Sequence, residues 1–249
     1  PDFDGLNLSA EVLVGILKHE TIYDRAGRLD VIRNKGFAKK LRARPCSLEA
    51  LVVDKADWLA YLNHDVDDGL TSGCITADDL NDSALWRRAM GRVKRPGVEI
   101  GSDMFKYQVV KELIDMQVKD LLSATDERIR ALKILSFKDV ARCSGSGKKV
   151  VDFSDVMKKE RGHLQDILNE KLYQHWRVER MTSKAKRIIN ELFDVYSENP
   201  KQLPYEIYDR AKKHSPRELN NIMCHYIAAM TDRAALDEYK RLFEPYKKV

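Results

Sequence analysis

Along most of the chain, apolar residues recur at three- and four-residue intervals, the period of an amphipathic helix. Ser9 caps a first predicted helix with apolar positions Val12, Leu13, Ile16 and Leu17. The period is lost from about Tyr23 to Arg44, a polar, basic stretch including Asn34-Lys35-Gly36 that reads as a long irregular connection. Pro45 and Ser47 open the next helix and Gly69 closes it. Thr76-Ala77-Asp78-Asp79 has the form of a capping box for a short helix, and Asp82-Ser83 starts another through Trp86 and Met90. Arg95-Pro96-Gly97 marks a turn. A helix is predicted from Ser102 to about Ser123, through Val110, Leu113, Ile114 and Leu121. Ser136 to Asp139 is a second capping box, and Cys143 to Lys149 reads as a flexible loop.

Ser154 starts a long helical region to about Arg180, and Thr182 to Ser197 is predicted as a separate helix. Asn199-Pro200 and Pro204 mark a turn region. Ser215-Pro216-Arg217-Glu218 places Ser at the cap, Pro at the first helical position and Glu where it reaches back to the cap. That helix runs to about Met230, and Thr231 or Asp232 caps the last one. Lys148 to Phe153 is the single β-like run, so the predicted class is all-α.

The helix opened by Ser47 carries the first chemical signal. Asp54, Asp57, Tyr61, Asp65 and Asp68 step by three or four and share one face. Leu48, Leu51, Val52, Leu59, Leu62, Val66 and Leu70 fall on the opposite side. The spacing alone reads first as a solvated acidic face. Against that, carboxylates stacked at i,i+4 repel, and Asp is a poor residue within a helix. A metal or cationic partner would relieve both costs.

Composition narrows the class. A 249-residue chain that is 43% hydrophobic and 33% charged has the apolar mass for a core. No apolar run is long enough to span a membrane and no secretory signal opens the chain, which predicts a cytoplasmic protein with no membrane partner. It begins Pro1-Asp2-Phe3 rather than with Met, the expectation for a processed or truncated product. A net charge of +5 permits a phosphate-bearing partner without demanding one. Cys46, Cys74, Cys143 and Cys224 are widely spaced, against a disulfide framework or a zinc site.

Other candidate motifs are weaker. His64-Asp65 has the look of a metal-binding dipeptide, but no companion His motif accompanies it, and His64 reads as a helix-flank residue. Ser144-Gly145-Ser146-Gly147-Lys148-Lys149 fails as a phosphate loop, with Arg142 where a Gly is needed and Lys149 where Ser or Thr is needed. Arg87, Arg88, Arg92, Lys94 and Arg95, and likewise Lys158, Lys159 and Arg161, read as solvated basic faces able to contact phosphates. Trp58, Trp86 and Trp176 read as core or interface packing.

Three blocks of sequence carry a resemblance. They are Gly5-Leu6-Asn7-Leu8-Ser9 with Glu11-Val12-Leu13 and Gly15 to His19; Ser47 to Ala50 through Asp54, Asp57, Ala60-Tyr61 and Asn63 to Gly69; and Tyr226 to Arg233. Together the chain resembles the deoxyguanosinetriphosphate triphosphohydrolase (dGTPase-like) family of the HD superfamily, with departures at His225 and Ala229. The resemblance implies an all-α fold and metal-dependent hydrolysis of a deoxynucleoside triphosphate to nucleoside and tripolyphosphate. It implies a divalent metal such as Mg or Mn, bound by Asp57, with Tyr61 lining the sugar pocket and Asp65 facing the sugar 3′-hydroxyl. All three lie on the stripe found by spacing.

The family's first His, its metal His-Asp pair and its catalytic His and Glu precede the Gly5-to-Leu8 region, so no catalytic residue is assigned to this chain. The expectation is a single all-α domain, residues 1–249, forming the C-terminal part of a dGTPase-like protein. Residues 1–100 would be the remainder of the HD core and 101–249 a C-terminal helical region. Alone, it is expected to bind metal weakly and not to turn over. Homo-oligomer assembly is carried over as a family expectation. A competing reading is a non-catalytic helical module for nucleic-acid binding or oligomer assembly. A third is a degenerate homologue that needs a partner chain to supply the HD half, which an exposed apolar patch would favour.

Overall fold

The computed structural model describes residues 6–19, 35–93, 102–212 and 215–246, and these form eleven α-helices with no β-strand among them. The all-α class is therefore as the periodicity predicts. The turn expected at Arg95-Pro96-Gly97 and the first part of the connection from Tyr23 lie outside the described residues. The chain divides into two compact units, residues 1–172 and 173–249.

The first unit is built from α1 (Ala10–Lys18), α2 (Lys35–Ala43), α3 (Leu48–Thr71), α4 (Ala84–Arg92), α5 (Asp103–Ala131), α6 (Phe137–Gly145) and α7 (Asp155–Leu168). Helix α3 packs on α1, α5 and α7, and α4 packs on α5 and α7. Leu59, Leu62 and Val66 bury the inner face of α3 as its pattern requires, and Leu113, Trp86, Leu164 and Leu168 are fully enclosed on the neighbouring helices. Leu48 and Leu51 instead reach a smaller cluster of Ile134, Val140, Cys143 and Val150.

A buried polar chain ties three helices together. Arg161 of α7 donates to the Gln117 side chain of α5 and, at 3.1 Å, to the Trp58 carbonyl of α3. Gln117 donates to Asn63 of α3 at 2.9 Å, and Asn63 donates to the Leu59 carbonyl at 2.7 Å. Arg161, Gln117 and Asn63 are all buried, so the solvated basic face predicted to include Arg161 is corrected. A helix-period reading fails here because the guanidinium finds interior acceptors and lies 4.3 Å from the Phe153 ring. Burial lowers its pKa to about 10, against the opposing charge of Asp152. Asp152 is itself buried between Lys158 at 3.0 Å and Lys55 at 3.3 Å.

Several predicted boundaries move, each for a local reason. Lys35 to Ala43 is helical, so the expected irregular connection ends before it. Helix α3 runs past Gly69 to Thr71. The left-handed residue is Gly73, at φ 66°, and the N–H groups of Gly73 and Cys74 bond the Leu70 and Gly69 carbonyls in a Schellman stop. Gly69 is there for space, since an added Cβ would lie 2.7 Å from Ile75.

The Thr76–Asp79 box forms its side-chain bonds, with the Asp79 carboxylate accepting the Thr76 N–H at 2.8 Å, but the chain there makes a run of turns and not a helix. Helix α5 continues beyond Ser123 to Ala131, and α6 absorbs Cys143 to Gly145 from the expected loop. The β-like run forms no strand. Its backbone carbonyls at Asp152 and Phe153 accept from Arg128 instead of from a partner strand.

The second unit comprises α8 (Trp176–Glu198), α9 (Tyr205–Ala211), α10 (Pro216–Ala228) and α11 (Asp232–Phe243) around Ile188, Leu192, Tyr196, Leu203, Met223 and Ile227. The predicted break at Thr182 does not exist. A π-helical turn, Asn169–Tyr173, ends the preceding helix, and the His175 side chain accepts the Arg177 N–H at 3.3 Å to start α8. Histidine is not among the usual caps, which hid this start. The Ser215 signal is as predicted, with Glu218 accepting the Ser215 N–H at 3.0 Å.

Candidate functional site

The acidic stripe lies on an unbroken α3, so its periodicity is realised along about 20 Å of helix between Asp54 and Asp68. Ser47 starts the helix by accepting the Ala50 N–H at 3.3 Å. The apolar face of α3, buried on α5 and α7, fixes the opposite face outward. The buried Arg161–Gln117–Asn63 chain grips α3 at Trp58 and Asn63, on either side of Tyr61.

Helix α1 crosses the N-terminal half of α3. Gly15 makes that approach possible, because a Cβ there would lie 3.1 Å from Ala50 Cβ. The crossing delivers His19, at the end of α1, onto the stripe. Its Nδ1 lies 2.6 Å from Asp54 Oδ1 and its Nε2 3.4 Å from Asp57 Oδ2. One imidazole thus spans the first two carboxylates of the stripe. The ring stands between the two carboxylates, and its tautomer decides which nitrogen donates.

Sequence reasoning gave His19 no role. The available signal was its position just after a helix whose Gly15 permits close packing on α3. That signal needs the α1–α3 crossing to be known, and no local spacing contains it.

Beyond Asp57 the face continues through exposed Tyr61 and half-buried Asp65 to exposed Asp68. The structure therefore brings His19, Asp54 and Asp57 together and sets Tyr61 and Asp65 along the same helix face toward its C-terminal end. His64 is exposed. Between α1 and α3 lies an open groove of about 770 Å³, with Asp57 and His19 at one end and Val12, Ile16 and Val53 along it. Val12, Ile16 and Val53 are all exposed, which makes an apolar floor beside an acidic edge.

Some of the basic candidates have structural partners. Arg88 pairs with Glu160 at 2.5 Å, and Lys158 with Asp152 and Asp155. Lys94 and Arg95 lie outside the described residues. Of the three tryptophans only Trp86 is a core residue, while Trp58 and Trp176 are exposed.

The donor set can be tested against a divalent metal. Carboxylate oxygens such as those of Asp57 suit Mg or Mn. A resident ion needs several convergent donors, however, and among the described residues no group of three or more His, Cys, Asp or Glu side chains is arranged to hold one. His19 faces Asp54 with one ring nitrogen and Asp57 with the other, so its two nitrogens are turned to the carboxylates themselves. The described residues alone do not fit a complete metal centre. None of the described helices is long and apolar enough to cross a membrane.

Comparison with known proteins finds one family of relatives. The family described as "Phosphohydrolase-associated domain" matches residues 151–241. A deoxyguanosinetriphosphate triphosphohydrolase-like protein of Geobacter metallireducens is 42% identical over 100% of this chain and 61% of its own length. The protein of that name from Geobacter sulfurreducens is 41% identical with the same coverage, 100% and 61%. One from Caulobacter vibrioides is 33% identical over 98% of this chain and 62% of its own length. The chain thus spans about three fifths of the length of these relatives, matching their C-terminal part.

Proposed function

This chain belongs to the deoxyguanosinetriphosphate triphosphohydrolase-like family, and from that premise we propose that its α3 stripe forms one wall of a site that hydrolyses deoxynucleoside triphosphates to nucleoside and tripolyphosphate. The observation that carries this reading is the stripe itself. A single helix face, fixed by burial of its other side, carries Asp57, Tyr61 and Asp65 in a row, which supports reading them as parts of one site.

Asp57 is proposed as one ligand of a divalent metal whose other ligands come from outside the described residues. Such an ion supplies phosphate charge neutralisation and an activated water when bound. This chain's own residues bind and orient. Asp57, with His19 beside it, offers a carboxylate held against the α1–α3 crossing. The exposed Tyr61 ring provides a flat surface for the sugar, and the Asp65 carboxylate accepts from a sugar hydroxyl one turn further on. No proton transfer or bond cleavage is assigned to residues of this chain. The apolar floor of Val12, Ile16 and Val53 supports a site completed by further structure on this face. Its proposed source is the part of the relatives that this chain does not span.

The test is tripolyphosphate release from deoxynucleoside triphosphates with Mn²⁺ or Mg²⁺. The 249-residue chain is expected to release none alone. Mixed with the unmatched N-terminal part of the Geobacter metallireducens relative, it is expected to release tripolyphosphate in a manner abolished by Asp57→Ala. Release that survives Asp57→Ala contradicts the proposal.

A further inference from the structure

Helix α3 is held down by aliphatic side chains. Leu59, Leu62 and Val66 are buried on its own inner face, and Leu113 and Leu164 on the neighbouring α5 and α7. Apolar burial is non-directional, so it favours one rotation and register of the helix only weakly. Set among these residues are three polar side chains, Asn63, Gln117 and Arg161, at 0%, 0% and 8% exposure.

Each amide is held on both sides. Asn63 donates to the Leu59 carbonyl of its own helix and accepts from Gln117. Gln117 donates also to the Leu113 carbonyl of its own helix, at 2.9 Å, and accepts from Arg161. Arg161 donates in turn to the Trp58 carbonyl, with its guanidinium against the Phe153 ring. These partners match in one alignment of α3, α5 and α7. A rotation or a one-turn slip of α3 would leave a guanidinium and two amides buried without partners, a penalty that leucines do not impose.

The place of this grip matters. Asn63 lies about 200° around α3 from Tyr61 and about 3 Å further along it, so the polar chain sits directly behind the middle of the acidic stripe. Stability alone does not call for it there. Apolar side chains of similar volume often serve a core as well as a buried charge and its partners, and the best attested use of such groups is to fix register.

We propose that Arg161, Gln117 and Asn63 are positioning residues, which set the rotation and register of α3 so that Asp57, Tyr61 and Asp65 face the site together. None of the three touches substrate. The proposal rests on reading the stripe as a site wall, and it adds the device that aims that wall.

The experiment replaces the polar chain by an apolar one, Arg161→Met/Gln117→Leu/Asn63→Leu. Spin labels carried on non-canonical residues at His64 of α3 and Leu122 of α5, both exposed, report the inter-helix distance by pulsed electron paramagnetic resonance. The parent chain is expected to give one narrow distance. The triple variant is expected to melt within about 4 °C of the parent, or above it, while its distance distribution splits or widens about twofold. Its binding of Mn²⁺ with dGTP should weaken at least about fivefold. A folded triple variant that keeps the single narrow distance would overturn the proposal. Should the triple variant not fold, Asn63→Leu decides, because it cuts the link from α5 to α3 and spares the Arg161–Gln117 bond; a parent-like distribution in that variant overturns the proposal equally. A parent chain that binds no Mn²⁺ with dGTP would contradict the reading of the stripe, whereas the distances decide the positioning role by themselves.

Discussion

Two buried charges, Arg161 and Asp152, give the most exacting predictions at the scale of the residue. Arg161 is the hub of the polar chain through Gln117 to Asn63, so Arg161→Ala leaves interior acceptors without a donor. Loss of about 3 kcal/mol in urea denaturation is expected; a loss below about 1 kcal/mol would mean that the chain is not a structural tie.

Asp152 predicts a pH dependence. Burial works to raise its pKa, but the Lys158 hydrogen bond and the charges of Lys55 and Lys158 prevail and hold the carboxyl below its ordinary 3.8. A depressed folded-state pKa stabilises the fold above the ordinary Asp value, and that contribution is lost as pH falls through the depressed one. Asp152→Asn should therefore cost about 1–3 kcal/mol near neutral pH, with the gap to the parent chain closing in acid. A gap of constant size down to the acid transition would count against the ion pairs as its source.

At the scale of the element, α3 is the helix that matters most. Its close packing at Gly69 yields a further expectation. Gly69→Val places a side chain against Ile75 and Leu172 and should lower stability by about 1–3 kcal/mol, despite valine's better helix propensity. Thermal unfolding no lower than that of the parent chain would contradict the close approach.

The legible and illegible parts of the sequence also separate at this scale. The face of α3 that carries Asp54, Asp57, Tyr61 and Asp65 was readable because a helical period is local and repeats. The end of α3 was not, since Gly69 and Gly73 are alike as letters and only the fold assigns one to packing and the other to the left-handed turn. The start of α8 was hidden by an unusual cap, His175. The extended run at Val150–Phe153 imitates a strand because its side chains are buried as a strand's would be, while Arg128 takes its carbonyls. His19 and Arg161 were missed for a shared reason: each acts across a helix crossing.

Considered as a whole, the molecule is two compact units, each with its own core. The second unit holds Tyr196 under Met223 and Ile227, with the Tyr196 hydroxyl donating to Glu238 at 2.7 Å. Burial and that hydrogen bond push the Tyr196 phenol well above its ordinary value. A fragment spanning residues 173–249 is therefore expected to be helical and to unfold cooperatively on its own, as followed by circular dichroism; a fragment with no unfolding transition would show that its core is insufficient.

The first unit holds the stripe, the crossing helix and the open apolar groove, and the central claim concerns that face. A solvated acidic face and the wall of a metal-dependent site differ in one respect. On a solvated face the aspartates are interchangeable, and in a site they are not. The most direct measurement is Mn²⁺ binding in the presence of a deoxynucleoside triphosphate, followed by electron paramagnetic resonance on the parent chain, Asp57→Ala and Asp68→Ala. The account predicts weak binding that Asp57→Ala abolishes and Asp68→Ala leaves unchanged. Equal losses in the two variants, or none in either, would return the stripe to the solvent.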